Sequence, residues 1–113
     1  MKVLVTGASG LIGRHTVEAL LGDGHEARTF QRNPLTRAGV ETIRGDVRTD
    51  VPALCAAARG CRAVVHLAGR GDVGESRRDP LGYAQLNATG TLHALEAARA
   101  SSLAARFVST GTP

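Results

Sequence analysis

Aromatic residues are nearly absent: two Phe, one Tyr and no Trp in 113 residues. An apolar core must then be aliphatic, and the stacking platforms that single-stranded nucleic-acid binders rely on are missing. Lysine is rarer still. Lys2 stands alone against thirteen Arg. The arginines scatter (14, 28, 32, 37, 44, 48 and onward), so the net charge of +4 reads as a solvated surface and nucleic acid is not expected as a partner. With no second Lys, the Gly-Lys-Ser/Thr phosphate loop is excluded. Cys55 and Cys61 have no zinc-ligand spacing, so no metal is expected and a reduced, cytoplasmic chain is. No apolar run approaches the ~20 residues that span a bilayer. Met1-Lys2 leads into a short strand, not a signal helix. No membrane partner is expected.

What is present alternates. Residues 2–6 (KVLVT) read as a buried strand, and 7–10 as a turn. Residues 11–21 read as a helix anchored by positions 12, 17, 20 and 21, ended by Gly22 and Gly24. Strands follow at 27–30, 40–44, 63–67 and 106–109. A helix opens at Asp50 as N-cap with Pro52 in its first turn. A glycine-rich loop covers 68–78. A long helix then runs from Asp79-Pro80 to about Ala100, with Leu81, Leu92 and Leu95 among its apolar anchors. Strands this apolar, separated by helices, predict an α/β, doubly wound (Rossmann-type) parallel sheet of about five strands in the order 3-2-1-4-5. One domain spans 1–113.

Gly7, Gly10 and Gly13 fall directly after the first strand and open the first helix. In such a sheet that turn faces the ligand crevice. Gly7 allows the sharp turn, Gly10 clears a path for a pyrophosphate, and Gly13 lets the helix pack closely on the sheet. The helix N-terminus, with free N–H groups and about half a positive charge, then faces the phosphates.

VTGASGLIG (5–13) resembles the opening of the extended short-chain dehydrogenase/reductases, the NAD-dependent epimerase/dehydratase family. The likeness continues through RGDVRT (44–49), HLAG (66–69), DPLGYAQLNATGT (79–91) and FVSTGTP (107–113). The resemblance implies a cofactor site at Gly7, Ser9, Gly10, Leu11, Ile12 and Gly13, and the position of Arg14 at the helix start beside Gly13 puts a cation within expected reach of a phosphate. The resemblance gives Asp46 to the adenine amine and Val47 to the ring, lays the Leu67-Ala68-Gly69 backbone along the cofactor, and puts Asn87 in the family's Asn place. It also implies an NAD(P)-binding domain cut short after strand five, without its substrate domain, from an epimerase, dehydratase or reductase acting on a nucleotide sugar or similar hydroxyl substrate.

The ribose 2′ position is read about 20 residues past the glycines, where an acid takes the hydroxyl of NAD. By register with the resembled family that place is Gln31, followed by Arg32, and no acid lies between Glu26 and Glu41. NADP is predicted over NAD, because a guanidinium holds a phosphate bidentately.

The resembled family's Tyr-x-x-x-Lys pair has no counterpart, since the single Tyr83 and the single Lys2 stand far apart. Thr110 is the candidate for the hydroxyl that orients substrate, with Thr112 as fallback. Tyr83 and His66 read as structural. The chain alone is expected to be inactive; the alternative is a non-catalytic nucleotide-binding or redox-sensing module. Strand five, an apolar edge, predicts a tendency to dimerise or aggregate.

Overall fold

A computed structural model of the chain describes residues 1–33, 36–70, 73–101 and 106–109. Strands β1 (Lys2–Thr6), β2 (Glu26–Gln31), β3 (Glu41–Arg44), β4 (Ala63–His66) and β5 (Arg106–Ser109) form one sheet in the order β3-β2-β1-β4-β5. Every pairing is parallel, with Val3 opposite both Ala27 and Ala63. Helices α1 (Leu11–Gly22), α2 (Val51–Ala58), α3 (Val73–Arg78), α4 (Pro80–Ala84) and α5 (Gly90–Ser101) supply the connections, with a π-helical turn (Gln85–Thr89) between α4 and α5.

The alternation of side chains along β1 splits the core into two layers. Leu4 joins Phe30, Leu54, Ala57, Val64 and Ala97 on the α2–α5 face. Val3 and Val5 join Val17, Ala27 and Ala63 on the α1 face. With so few aromatics, Phe30 is the largest fully buried side chain. Arg28 braces the far end of the sheet, away from the carboxyl ends of the strands. Its guanidinium donates to Glu41 and to the Ala57 and Arg59 carbonyls, and so satisfies the C-terminus of α2.

The expected fold class and strand order are the observed ones, with five local corrections. Strand edges shift by a residue: β2 gains Glu26 and Gln31, β3 begins at Glu41, and β4 ends at His66. The glycine-rich stretch 68–78 contains helix α3. The long helix is helical from Pro80 to Ser101 but is interrupted by the π turn. Its leucines are not its anchors. Leu81, Leu92 and Leu95 are exposed, as is Ile12 on α1, while Gly90, Ala94, Ala97 and Ala98 are buried. Helices α2 and α5 meet through alanines, which leave room only for close approach and turn the bulkier residues outward. Finally, Asp50 occupies the N-cap of α2 without capping it. Its carboxylate accepts from the Asp46 N–H at 2.9 Å and closes the β3–α2 loop. Among the described residues no helix is long and apolar enough to cross a membrane.

Candidate functional site

The carboxyl ends of the central strands bound a cleft of about 240 Å³. Its walls are Gly7 and Ser9 after β1, Phe30 to Asn33 at the end of β2, Gly45 to Val47 after β3, Ala68 to Arg70 after β4, and Leu86 from the π turn. A second cavity of about 340 Å³ adjoins it, sharing Arg32, Asn33, Gly45 and Asp46 and adding Arg44 and Asp50. This is the crevice at a topological switch point where open α/β sheets take ligands.

Two glycines make the first turn sterically possible. Gly7 sits at φ +70, and a Cβ there would lie 2.6 Å from the Ala68 nitrogen. A Cβ on Gly13 would strike the Gly7 carbonyl and lie 2.6 Å from the Ala8 Cα, so Gly13 packs α1 against the turn itself and not, as expected, against the sheet. At Gly10 a Cβ would meet only the Gly7 carbonyl, at 3.7 Å, leaving the approach to the backbone open. No side chain caps α1 and no acid stands in its first turn. The orphan amides there and the positive end of the helix dipole are available to an anion.

Gln31 ends β2. It is only 6% exposed, and neither its carboxamide nitrogen nor its oxygen has a partner among the described residues. Next to it, Arg32 reaches both cavities. Across the cleft, Asp46 accepts from the Arg48 backbone N–H at 2.9 Å and from its guanidinium at 2.7 to 3.1 Å. Those bonds hold the carboxyl below its usual range, so it stays ionised and acceptor-only. His93 donates Nδ1–H to the Val47 carbonyl at 2.7 Å, tying the same loop to α5.

A second network runs behind the β1 and β4 ends. The Thr6 hydroxyl lies 3.2 Å from the Leu67 N–H and 3.4 Å from that of Ala68, and accepts from both. It therefore donates to His66 Nδ1, 2.7 Å away, which leaves Nε2–H to donate to Thr91 Oγ1 at 3.2 Å. Thr91 in turn donates to the Asn87 carbonyl at 2.7 Å. Burial pushes the His66 pKa down, so the ring is a neutral structural link, as the sequence suggests. Tyr83 is also buried, its hydroxyl donating to Glu75 at 3.4 Å.

Of the residues expected at a cofactor, Gly7, Ser9, Gln31, Arg32, Asp46, Val47, Ala68 and Gly69 come together as cleft walls. Gly10, Leu11, Ile12, Gly13 and Arg14 form the start of α1 beyond the lining, with the Leu11 and Ile12 side chains exposed. Leu67 packs on the α1-side core. The Asn87 side chain bonds the Arg70 backbone at both N–H and C=O, each at 2.9 Å, and so clamps the rim of the cleft. Thr110 and Thr112 lie outside the described residues. Sequence reasoning missed Phe30, Asn33, Gly45, Arg48, Arg70 and Leu86. Arg48, two residues past Asp46, and Arg70, inside the glycine-rich stretch, were the readable signals. The rest are placed by packing.

The model of the "NAD dependent epimerase/dehydratase family" matches residues 3–113. The chain belongs to this family. A UDP-glucose 4-epimerase of Klebsiella pneumoniae is 40% identical over 114 residues, covering 89% of this chain and 82% of that protein. A ceramide reductase of Caulobacter vibrioides is 38% identical over 111 residues, covering 94% of this chain and 33% of that protein. Among solved structures, MoeE5 in complex with UDP-glucuronic acid and NAD superposes with a TM-score of 0.86 at 32% identity, covering 96% of this chain and 36% of that one. This member of the epimerase/dehydratase family thus spans most of the Klebsiella relative and about a third of the other two proteins.

Proposed function

We propose that residues 1–113 hold an adenine dinucleotide, NADP in preference to NAD, for hydride transfer on a nucleotide sugar or similar hydroxyl substrate. The glycine turn and the α1 amides take the diphosphate; Asp46 and Val47 take the adenine. Family membership and the MoeE5 complex with NAD and a UDP-sugar support the dinucleotide and the substrate class. The observation that carries the NADP preference is the end of β2. A buried carboxamide without partners costs the free chain ~1–3 kcal/mol. Gln31 is such a group, and a ribose with its 2′ substituent offers the missing bonds. Arg32 and Arg44 line the adjoining cavity, and the two carboxylates there are already engaged, Asp46 by Arg48 and Asp50 by the Asp46 N–H.

Turnover is not assigned to these residues, because a tyrosine with a lysine four positions on is absent from them. A phenol needs such a cation nearby to act as a base. Calorimetric titration of the chain with NADP, NAD and AMP tests the reading. NADP is expected to bind roughly 10-fold tighter than NAD, from about one extra charge-assisted bond, and Gln31→Asp to invert the order. Tighter binding of NAD by the wild-type chain overturns the preference. No binding of either dinucleotide overturns the function.

A further inference from the structure

The connection after β4 brings a cation to the cleft that its sequence context gives no role. Asn87 fixes the backbone of Arg70 at both its N–H and its C=O, so the side chain swings from a rigid root. That side chain is about one-third exposed and lines the same cleft as Gly7 and Ser9. Among the described residues its guanidinium has one partner, the Glu75 carboxylate, through Nη1 at 3.1 Å. Both members of that pair are solvent-accessible, and ion pairs so exposed stabilise little. The guanidinium carries five N–H donors in a planar fork suited to phosphate, and this pair engages one of its nitrogens. Arg48 differs: its Nε and Nη2 are both committed to Asp46. Glu75 also stays held without the arginine, since the Tyr83 hydroxyl donates to its other oxygen at 3.4 Å.

We propose that Arg70 exchanges Glu75 for the diphosphate of the bound nucleotide, Glu75 being the counter-ion that parks the guanidinium in the ligand-free chain. The inference rests on the dinucleotide reading and names a binding residue within it. The diphosphate takes a bidentate fork from Arg70 in addition to the amides of the glycine turn. Because Glu75 competes for the same cation, the two residues act in opposite directions on affinity, which a structural ion pair does not do.

The test titrates the whole chain and its Arg70→Met, Arg70→Lys and Glu75→Gln variants with ADP and with adenosine. Arg70→Met is expected to weaken ADP about 10-fold and leave adenosine unchanged; Arg70→Lys falls between, because an ammonium cannot fork. Glu75→Gln tightens ADP about 2- to 5-fold. The wild-type affinity for ADP falls more steeply with added salt than that of Arg70→Met. Thermal melts check that each variant is folded, and if Arg70→Met is not, Arg70→Lys and Glu75→Gln decide. Equal ADP affinity for wild type and the Arg70 variants, or a loss of affinity in Glu75→Gln, overturns the proposal while leaving the dinucleotide reading standing. Failure of the wild-type chain to bind either ADP or adenosine removes the parent reading, and this inference with it.

Discussion

A carboxamide shut away from water without partners is a cost the folded chain carries in advance of its ligand. Gln31 is that residue, and the cost predicts a trade. Gln31→Met keeps the volume and removes the unmet polar atoms, so the ligand-free chain should gain ~1–2 kcal/mol in urea denaturation. Affinity for the dinucleotide, measured in parallel by calorimetry, should fall. A methionine variant that is less stable than the parent contradicts the account of Gln31 as unsatisfied. Position 31 is legible in the sequence because it follows a β-branched and aromatic run at a fixed distance from the glycines. Its lack of partners is not legible, since that depends on what β3, β4 and the π turn bring near it. The same holds for Asn87. Its place in the chain is readable, while its two bonds to Arg70 depend on how the π turn meets the β4 rim.

At the scale of elements, the central strands β1 and β4 were readable as short apolar runs, and all five strands appear at nearly their expected places. Helix faces were not. Leucine spacing pointed one way along 80–101, and the packing chose the alanine face, because α2 and α5 approach closely through Ala57, Ala58, Ala97 and Ala98. Hydrophobicity identifies a buried face less well when two helices meet through small residues. The π turn has no signature in composition at all. From it one helix presents Leu86 to the cleft and Asn87 to the Arg70 backbone. The outer strand carries its own consequence. Among the described residues β5 pairs with β4 alone, and Val108 on it is 56% exposed. An apolar strand with an unpaired edge invites a second chain. Light scattering of the 113-residue chain is expected to show association that grows with concentration, and Val108→Lys should reduce it. A monomer at every concentration removes the idea.

For the molecule as a whole, the neutral imidazole held between Thr6 and Thr91 sets a lower pH limit. An unfolded histidine takes a proton near pH 6.5. Folded His66 is 3% exposed, its pKa is depressed by burial, and its Nδ1 already accepts from Thr6. Below about pH 6.5 the unfolded chain therefore binds more protons than the folded one. Stability is fully present above that value and declines beneath it, at up to ~1.4 kcal/mol per pH unit, until the folded pKa is reached. The carboxylates with lowered values, Glu18, Asp46 and Glu96, act only in more acid solution. Urea midpoints measured from pH 7.5 to 5.5 should fall on the acid side, and a flat profile contradicts the assignment of a buried neutral ring.

Strand order has a last consequence, for synthesis. Of the five strands the earliest in the chain, β1, forms the centre of the sheet and needs neighbours on both sides. One of them, β4, brings His66 to Thr6 across a separation of 60 residues. No hairpin can nucleate such a sheet, and non-local parallel pairings form slowly. The nascent β1, Val3-Leu4-Val5 with its backbone groups unpaired, must therefore stay exposed until residues 63–66 have been made. The interval in which a chaperone is most useful to this chain is written into the position of its first strand.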